Sequence, residues 1–212
     1  VHEVISAANR IMLSTHENPD GDGLGAECGI YYHLKEIGKD VRIINYSPLP
    51  EYYTFLNSDQ IFECYDQNFH ENWIKDVDLV IIFDVGDFVR TRTIVDAIKS
   101  HGLKTLNIDH HPHPDEHPFT HNVVDLSAAA TGCMVYDYLQ IARTDPIAKK
   151  SFEGIYTAVM TDTGCFRYSN TDKKCYEIAI QCVETGVETH TLYQLSLKHI
   201  RRRRRTNPVT PP

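Results

Sequence analysis

The stretch Lys104-Thr-Leu-Asn-Ile-Asp-His-His111 is a short, largely apolar run that ends in one carboxylate and two imidazoles. Residues 79–84 form a similar run, and both runs follow a polar stretch. Strands of a parallel sheet that is covered on both faces have this composition, because neither face meets water. We therefore predict two buried parallel strands, at residues 79–84 and 105–109.

Outward from these runs, short apolar segments alternate with amphipathic ones. Further strands are predicted at residues 11–15 and 41–45, and three prolines favour an exposed loop over residues 112–121. Ile30, Leu34 and Ile37 share one face of a helix that ends at Gly38. The predicted helices cover residues 24–37, 91–100, 131–142, 146–160, 173–184 and 189–199. This alternation predicts an α/β fold, with a doubly wound, mainly parallel sheet and helices on both faces.

Carboxylates and imidazoles follow four of the apolar segments. In doubly wound sheets, ligands bind beyond the carboxyl ends of the strands, so these side chains are expected to converge. The set consists of His16, Asp20, Asp22, Asp84, Asp109, His110, His111 and Asp162.

Five converging aspartates need a counter-charge. Two carboxylates about 4 Å apart repel by roughly 1 kcal/mol in water and about 4 kcal/mol at the effective dielectric of a protein surface. Imidazoles mixed with carboxylates suit Mn, Fe, Co or Zn better than Mg. Six or more donors also exceed the needs of one tetrahedral ion. The sequence therefore predicts two divalent cations, which commonly assist the attack of water on a phosphorus ester.

The composition is typical of a cytoplasmic enzyme. The chain has 212 residues, 42% of them hydrophobic, enough for one large or two small domains. No apolar run approaches the roughly 18 residues of a membrane span, and residues 1–10 lack the features of a signal peptide. The net charge is −8, and five of the 21 basic residues are consecutive arginines at 201–205. We expect no membrane partner and no long duplex nucleic acid, since a duplex needs clustered basic residues.

Four motifs, in order along the chain, resemble those of the DHH phosphoesterase superfamily. They are HENPDGDGLG at residues 16–25, DVGD at 84–87, DHH at 109–111 and TDTG at 161–164. More narrowly, DTGCFRYSNT at residues 162–171 is similar to the branch of bifunctional oligoribonucleases and 3'-phosphoadenosine 5'-phosphate phosphatases. The resemblance covers residues 16–194 and implies the N-terminal domain of that superfamily.

The resemblance also implies a ligand set for two metal ions. One ion would be held by His16, Asp20 and Asp84. The other would be held by Asp22, Asp84, His110 and Asp162, with Asp84 bridging both ions. Mn is the expected metal, and Co, Fe, Zn and Mg are alternatives.

The remaining site residues follow from the same resemblance. His111 would face the phosphate, and Asp109 would orient an imidazole. Arg167, Ser127 and Thr131 would bind the substrate. Ser127 and Thr131 are also explained as helix caps, and Arg167 as half of an ion pair.

The implied function is a two-metal phosphohydrolase in which a metal-bridged hydroxide cleaves phosphate esters. The substrates would be short oligonucleotides or a nucleoside 3',5'-bisphosphate. A manganese-dependent inorganic pyrophosphatase and a cyclic-dinucleotide phosphodiesterase use nearly the same motifs and remain alternatives, as does a catalytically weak metal-binding module with a regulatory role. A homodimer is also left open.

The expected domain organisation is simple. Residues 1–187 would form the DHH-type metal-binding catalytic domain, and residues 188–200 a linker helix. Residues 201–212 are rich in Arg and Pro, which predicts a disordered tail or an artefact. Members of the superfamily carry a C-terminal substrate-binding domain with a glycine- and histidine-rich motif, and nothing after His199 resembles it. We therefore expect little discrimination between nucleotide substrates.

Overall fold

A six-stranded sheet forms the centre of the molecule in the computed structural model, which describes residues 1–143 and 145–196. The strands are β1 (Arg10–Ser14), β2 (Asp40–Asn45), β3 (Phe62–Cys64), β4 (Leu79–Phe83), β5 (Thr105–Asp109) and β6 (His121–Val124). Their order is β3-β2-β1-β4-β5-β6, and all neighbours are parallel. The direction of winding therefore reverses between β1 and β4.

Successive residues of the central strands face opposite layers. Ile11 and Leu13 belong to the larger apolar cluster of the core, whereas Met12 between them belongs to the smaller one. The register continues this division, because Leu13 lies beside Ile43 on one side and Ile81 on the other, and both belong to the larger cluster. Every residue of β4 and β5 is buried. Both faces of the sheet are therefore covered.

Helices cover the two faces unequally. The helices with both ends described are α1 (His2–Ala7), α2 (Gly21–Glu36), α3 (Gln67–Ile74), α4 (Thr93–His101), α5 (Thr131–Ala142), α6 (Lys149–Asp162) and α7 (Lys173–Glu184). A further helical segment covers residues 189–196. The buried side chains of α2, α5, α6 and α7 join the larger cluster, and those of α4 join the smaller one. The predicted doubly wound α/β fold is thus confirmed.

The helices α2 and α6 pack backbone against backbone. A Cβ atom added at Gly25 would lie 2.4 Å from the carbonyl oxygen of Gly154, and one added at Gly154 would lie 2.7 Å from the carbonyl oxygen of Gly25. A Cβ atom does not come this close to a carbonyl oxygen, so glycine is required on both helices. The contact brings the start of α2, with Asp22, beside the end of α6, with Asp162.

The four strands predicted from the sequence are confirmed, but β3, β6, α1 and α3 were not predicted. The edge strands β3 and β6 have three and four residues, none of them buried, so they carry little apolar signal. Helix α3 buries only His70 and Ile74. Two short 3-10 helices, Glu51–Asn57 and Phe88–Thr91, were missed as well. The predicted loop over 112–121 was wrong at its end, where β6 begins.

Helix boundaries depend on capping groups that an apolar pattern does not reveal. Helix α2 begins at Gly21 instead of residue 24, because the Asp20 carboxylate accepts hydrogen bonds from the amides of Asp22 and Gly23. Helices α5 and α7 have the predicted bounds. The end of the predicted helix 189–199, from residue 197, and the predicted tail 201–212 lie outside the described residues. Within the described residues, no helix combines the length and apolar character that a bilayer span needs.

Candidate metal centre

All six predicted metal ligands lie at the carboxyl edge of the sheet, around the point between β1 and β4 where the strand order reverses. Parallel strands end at the same edge, so residues that follow different strands meet there. The ligands are His16 after β1, Asp20 and Asp22 at the start of α2, Asp84 after β4, His110 after β5 and Asp162 at the end of α6.

The six ligands and His111 form three overlapping groups, in each of which the donor atoms lie within 4.8 Å of one another. The groups are His16, Asp20 and Asp84; Asp22, His110 and Asp162; and Asp84, His110 and His111. Asp84 and His110 each belong to two groups, so the groups are contiguous. The first group is the ligand set expected for one ion. The second group is the set expected for the other ion without Asp84. Asp84 lies near His110 in the third group.

His110 shows that the donor set fits a cation. Its Nδ1 lies 3.1 Å from the carbonyl oxygen of Ala128, an acceptor, so Nδ1 carries the hydrogen and Nε2 presents a lone pair. Nε2 is buried without a hydrogen-bond partner, although carboxylate oxygens of Asp22, Asp84 and Asp162 lie 3.5, 3.6 and 3.3 Å away. A lone pair facing three carboxylates is unfavourable unless a proton or a metal cation lies between them.

His16 has the same arrangement. Its Nδ1 lies 2.7 Å from the carbonyl oxygen of Glu17, which leaves Nε2 to face the carboxylates. Nε2 is 3.8 Å from Asp20 Oδ2 and 3.6 Å from Asp84 Oδ2. The other oxygen of Asp84 faces His110. Asp84 therefore lies between the two imidazoles and turns one oxygen toward each.

The pKa values of Asp22 and Asp162 show repulsion between the carboxylates of the cluster. Burial, together with the charges of Asp84 and Asp162, raises the pKa of Asp22 well above its ordinary value. Burial and the charge of Asp84 raise the pKa of Asp162 to about 6. Burial alone would lower the pKa of His16, but hydrogen bonds to Asp20 and Asp84 outweigh it and raise that pKa to about 10. Protons would therefore compete with a divalent cation for this cluster.

Asp22 is held by the N-terminus of α5. The amide of Thr131 donates to Asp22 Oδ2 at 2.6 Å, and the amide of Gly132 donates to Oδ1 at 2.9 Å. Thr131 was predicted to bind substrate at a helix start, but the anion at this helix start is a carboxylate of the protein itself. The Thr131 hydroxyl lies 3.4 Å from Asp84 Oδ1. Thr131 thus positions ligands and is fully buried.

Asp109 orients His111, the residue predicted to face the phosphate. The buried Asp109 carboxylate lies 2.9 Å from His111 Nδ1 and 2.6 Å from His113 Nε2, and it accepts hydrogen bonds from the amides of His110 and His111. His111 Nδ1 is also 3.2 Å from Asp84 Oδ1. The His111 side chain is 47% exposed. Its Nδ1 is therefore fixed, while the rest of the ring reaches the open side of the cluster.

These contacts shift the pKa values of both partners. Hydrogen bonds to Asp109 and Asp84 raise the pKa of His111 to about 10. Burial alone would raise the pKa of Asp109, but hydrogen bonds from His111 and His113 outweigh it and lower that pKa. His113 was not predicted as a site residue, because it lies in the proline-rich segment taken for a loop. Its spacing of four residues from Asp109 was the one feature of the sequence that could have indicated this contact.

The other two predicted substrate contacts lie apart from the ligands. Ser127 is exposed, lies before the first turn of α5, and donates its hydroxyl to Asp125 Oδ1 at 2.6 Å. Arg167 donates from Nε to the carbonyl oxygen of Gly164 at 2.8 Å. It lines a groove of about 360 Å³ together with Phe166 and Tyr193, and none of the six ligands lines that groove. The expected ion pair of Arg167 is also not found among the described residues.

Known proteins resemble this chain over most of its length. The bifunctional oligoribonuclease and PAP phosphatase NrnA of Thermus thermophilus is 30% identical over 189 residues, which are 89% of this chain and 54% of that protein. The protein of the same name from Bacillus subtilis is 28% identical over 193 residues, 89% of this chain and 57% of that protein. The chain thus spans little more than half the length of these relatives.

Solved structures share the fold. An exopolyphosphatase-related protein from Bacteroides fragilis superposes with a TM-score of 0.85 at 25% identity, over 92% of this chain and 58% of that one. A putative family II inorganic pyrophosphatase from Methanococcus jannaschii superposes with a TM-score of 0.65 at 16% identity, over 87% and 59% of the two chains. Residues 10–161 match the family described as DHH family, N-terminal domain. Since this match includes the whole ligand cluster except Asp162, the chain belongs to the DHH family.

Proposed function

We propose that this chain is a metal-dependent phosphohydrolase that cleaves phosphate esters of short oligonucleotides or of a nucleoside 3',5'-bisphosphate. The observation that carries the proposal is the buried Nε2 of His110, which has no hydrogen-bond partner and faces three carboxylates at the carboxyl edge of the sheet. Such a cluster has little structural use without cations, because the charges of Asp84 and Asp162 raise the pKa of Asp22, and the charge of Asp84 raises the pKa of Asp162.

The residues suggest how two divalent cations would be held. His16, Asp20 and Asp84 would bind one, and Asp22, Asp84, His110 and Asp162 the other. When bound, the cations would supply the positive charge that acidifies water and neutralises a phosphate. Imidazole and carboxylate donors together favour Mn, with Co, Fe, Zn and Mg as alternatives.

His111 is the proposed catalytic residue of the chain. Asp109 and Asp84 hold its Nδ1, so Nε2 is left for a substrate oxygen on the exposed side of the ring. A protonated imidazole in this position would donate a hydrogen bond to a phosphoryl oxygen, or a proton to the departing oxygen. His113, bonded to the other oxygen of Asp109, would keep that carboxylate in place.

The substrate class rests on relatives and on charge. Two relatives are named as oligoribonucleases and PAP phosphatases. The net charge of −8 disfavours long nucleic acids, which need clustered basic residues. A pyrophosphatase and a cyclic-dinucleotide phosphodiesterase are the competing enzymes, and a regulatory metal-binding module is the competing function outside catalysis.

The test is a substrate panel with Mn. A dinucleotide, 3'-phosphoadenosine 5'-phosphate, pyrophosphate and a cyclic dinucleotide would each be incubated with the chain, and released phosphate or nucleotide measured. We expect the dinucleotide and the bisphosphate to be hydrolysed, and a chelator to abolish hydrolysis. Faster turnover of pyrophosphate would favour the pyrophosphatase. Bound Mn without hydrolysis of any compound would favour the regulatory module.

The domain arrangement is part of this proposal. We propose that residues 1–187 form the catalytic domain and that residues 188–200 form a linker helix. Helical residues at 189–196, beyond the end of α7, support the second part.

A further inference from the structure

Arg90 lies at the edge of the candidate metal centre, in the 3-10 helix that follows β4. Its backbone carbonyl accepts a hydrogen bond from the amide of Glu17 at 2.7 Å, which fixes the loop against the segment after β1. The side chain is exposed, and its Nη2 lies 3.2 Å from Nδ1 of His16. A guanidinium group is therefore next to a candidate metal ligand.

His16 cannot accept a hydrogen bond from this guanidinium when its Nε2 binds a cation. Nε2 must then offer its lone pair, so the ring hydrogen lies on Nδ1 and is donated to the carbonyl oxygen of Glu17 at 2.7 Å. A nitrogen that carries a hydrogen accepts nothing from Arg90. The same holds for the protonated ring, in which both nitrogens are donors.

Arg90 also forms no ion pair with a carboxylate among the described residues. Glu17, the nearest acidic neighbour in sequence to His16, accepts Nε of Arg92 at 2.6 Å and also accepts from its Nη2. Within residues 1–143 and 145–196, ion pairs with carboxylates are formed by Arg10, Arg42 and Arg92, but none by Arg90. Its guanidinium thus keeps most of its five donors available beside the cluster.

We propose that Arg90 forms an anion subsite that binds a phosphoryl group of the substrate next to His16. The ligand class is a phosphate monoester, phosphate diester or free phosphate, whose oxygens match the planar fork of a guanidinium. This inference rests on the proposed function and adds a protein contact for its substrate. The contact comes from the loop after β4, not from Arg167, which was predicted from the sequence.

The His16 ring makes the subsite compatible with a bound cation. A cation on Nε2 requires the hydrogen on Nδ1, and that hydrogen leaves Arg90 free for an external anion. The Arg92–Glu17 pair contributes by occupying the one carboxylate that follows His16 directly in the chain. A bound cation would therefore leave the Arg90 guanidinium available to phosphate at this edge of the site.

The experiment is a calorimetric titration of inorganic phosphate into the Mn-loaded 212-residue chain and into its Arg90→Gln, Arg90→Lys and Arg143→Gln variants. We expect Arg90→Gln to weaken phosphate binding by about tenfold or more, as the loss of a charged hydrogen bond implies. Arg90→Lys should recover part of the affinity. Arg143→Gln is the matched control, because Arg143 follows the far end of α5 and pairs with Gln140.

Mn content and Mn affinity are measured for each variant. Unchanged phosphate affinity in Arg90→Gln would overturn the proposal, and so would the absence of phosphate binding to the wild-type chain. A loss of Mn affinity that accounts for the loss of phosphate binding would also overturn it, since Arg90 would then act on His16. If Arg90-dependent phosphate binding is found but no phosphate ester is hydrolysed, the proposed function fails and the subsite stands.

Discussion

Asp84 occupies a left-handed backbone conformation, with φ at 59°, directly after β4. Its amide donates to the carbonyl oxygen of Ile108, so the turn is tied to β5. One carboxylate oxygen is 3.6 Å from His16 Nε2, and the other is 3.6 Å from His110 Nε2. A single side chain in an unusual conformation therefore links both halves of the ligand cluster.

The Asp84→Asn variant should lose Mn from both halves of the cluster. Asparagine tolerates the left-handed conformation as well as aspartate does, so the substitution removes the charge and leaves the turn intact. We expect the metal content, measured by elemental analysis after dialysis, to fall from two Mn per chain toward none. His111→Ala is the comparison, since it should retain Mn and lose turnover. An Asp84→Asn protein with two tightly bound Mn would contradict the bridging role.

Glu27 predicts a pH dependence of stability. It is fully buried in α2, its Oε2 accepts from Asn45 Nδ2 at 2.9 Å, and burial raises its pKa from 4.5 to about 8. The folded chain thus holds a proton on Glu27 that the unfolded chain releases at lower pH. The free energy of unfolding should therefore fall as pH rises from about 4.5 to about 8.

The Glu27→Gln variant should flatten this dependence, because glutamine stays neutral and can still accept from Asn45. Urea unfolding at pH 6 and pH 8 measures the effect, with the wild-type chain as reference. A fall in stability of the same size in both proteins would mean that Glu27 is not its source.

At the scale of elements, the N-terminus of α5 binds the Asp22 carboxylate, where a substrate anion was expected from the sequence. Two amides of its first turn hold the carboxylate, which lies 3.5 Å from His110 Nε2. The helix thereby neutralises part of the charge that Asp22 adds to the cluster. The orientation of a candidate metal ligand thus depends on a helix about 110 residues further along the chain.

Thr131→Pro isolates this contact. Proline is favoured at the first position of a helix, and Ala130 already has the extended backbone that proline requires of its predecessor. The variant should keep α5 but lose the amide that donates to Asp22, and we expect Mn affinity to fall by about tenfold. Thr131→Ala removes only the hydroxyl, so its Mn affinity should fall less. Equal Mn affinity in both variants, by calorimetry, would assign the effect to the hydroxyl.

The elements also show what the sequence could predict. The buried strand β4 is a continuous apolar run, and β5 places Leu106 and Ile108 between polar residues. The polar residues after these strands become candidate ligands because parallel strands end at one edge. Edge strands and the short helix α3 bury too little to leave such a pattern. Contacts such as Asp22 with α5 and Asp109 with His113 depend on packing between distant segments, and single residues do not encode them locally.

At the scale of the whole molecule, helix α7 presents an apolar row to solvent. Tyr176, Ile180 and Val183 are 52, 57 and 60% exposed and are spaced for one face of the helix. Lys173 lies at the start of α7 and Glu184 at its end. Two copies related by a twofold axis would pair antiparallel α7 helices with these opposite charges facing each other. The homodimer considered from the sequence therefore stays a prediction, with α7 as its interface.

Sedimentation of the Ile180→Asp variant tests this prediction. A buried aspartate at the centre of a twofold interface is costly, so we expect a monomer at concentrations where the wild-type chain sediments as a dimer. Ile37→Asp, which changes an exposed isoleucine at the end of α2, should leave the dimer intact. A wild-type chain that sediments as a monomer at all concentrations would contradict the interface.

The contact between Gly25 and Gly154 bears on which ionic radius the centre accepts. Asp22 lies three residues from the point of contact along α2, roughly 4.5 Å, whereas Asp162 lies eight residues away along α6, roughly 12 Å. A small tilt of α6 about this contact therefore moves Asp162 more than twice as far as an equal tilt of α2 moves Asp22, because the displacement grows with the distance from the contact. An ion of a different size would be accommodated mainly from the α6 side. Backbone contact at the pivot keeps that adjustment small.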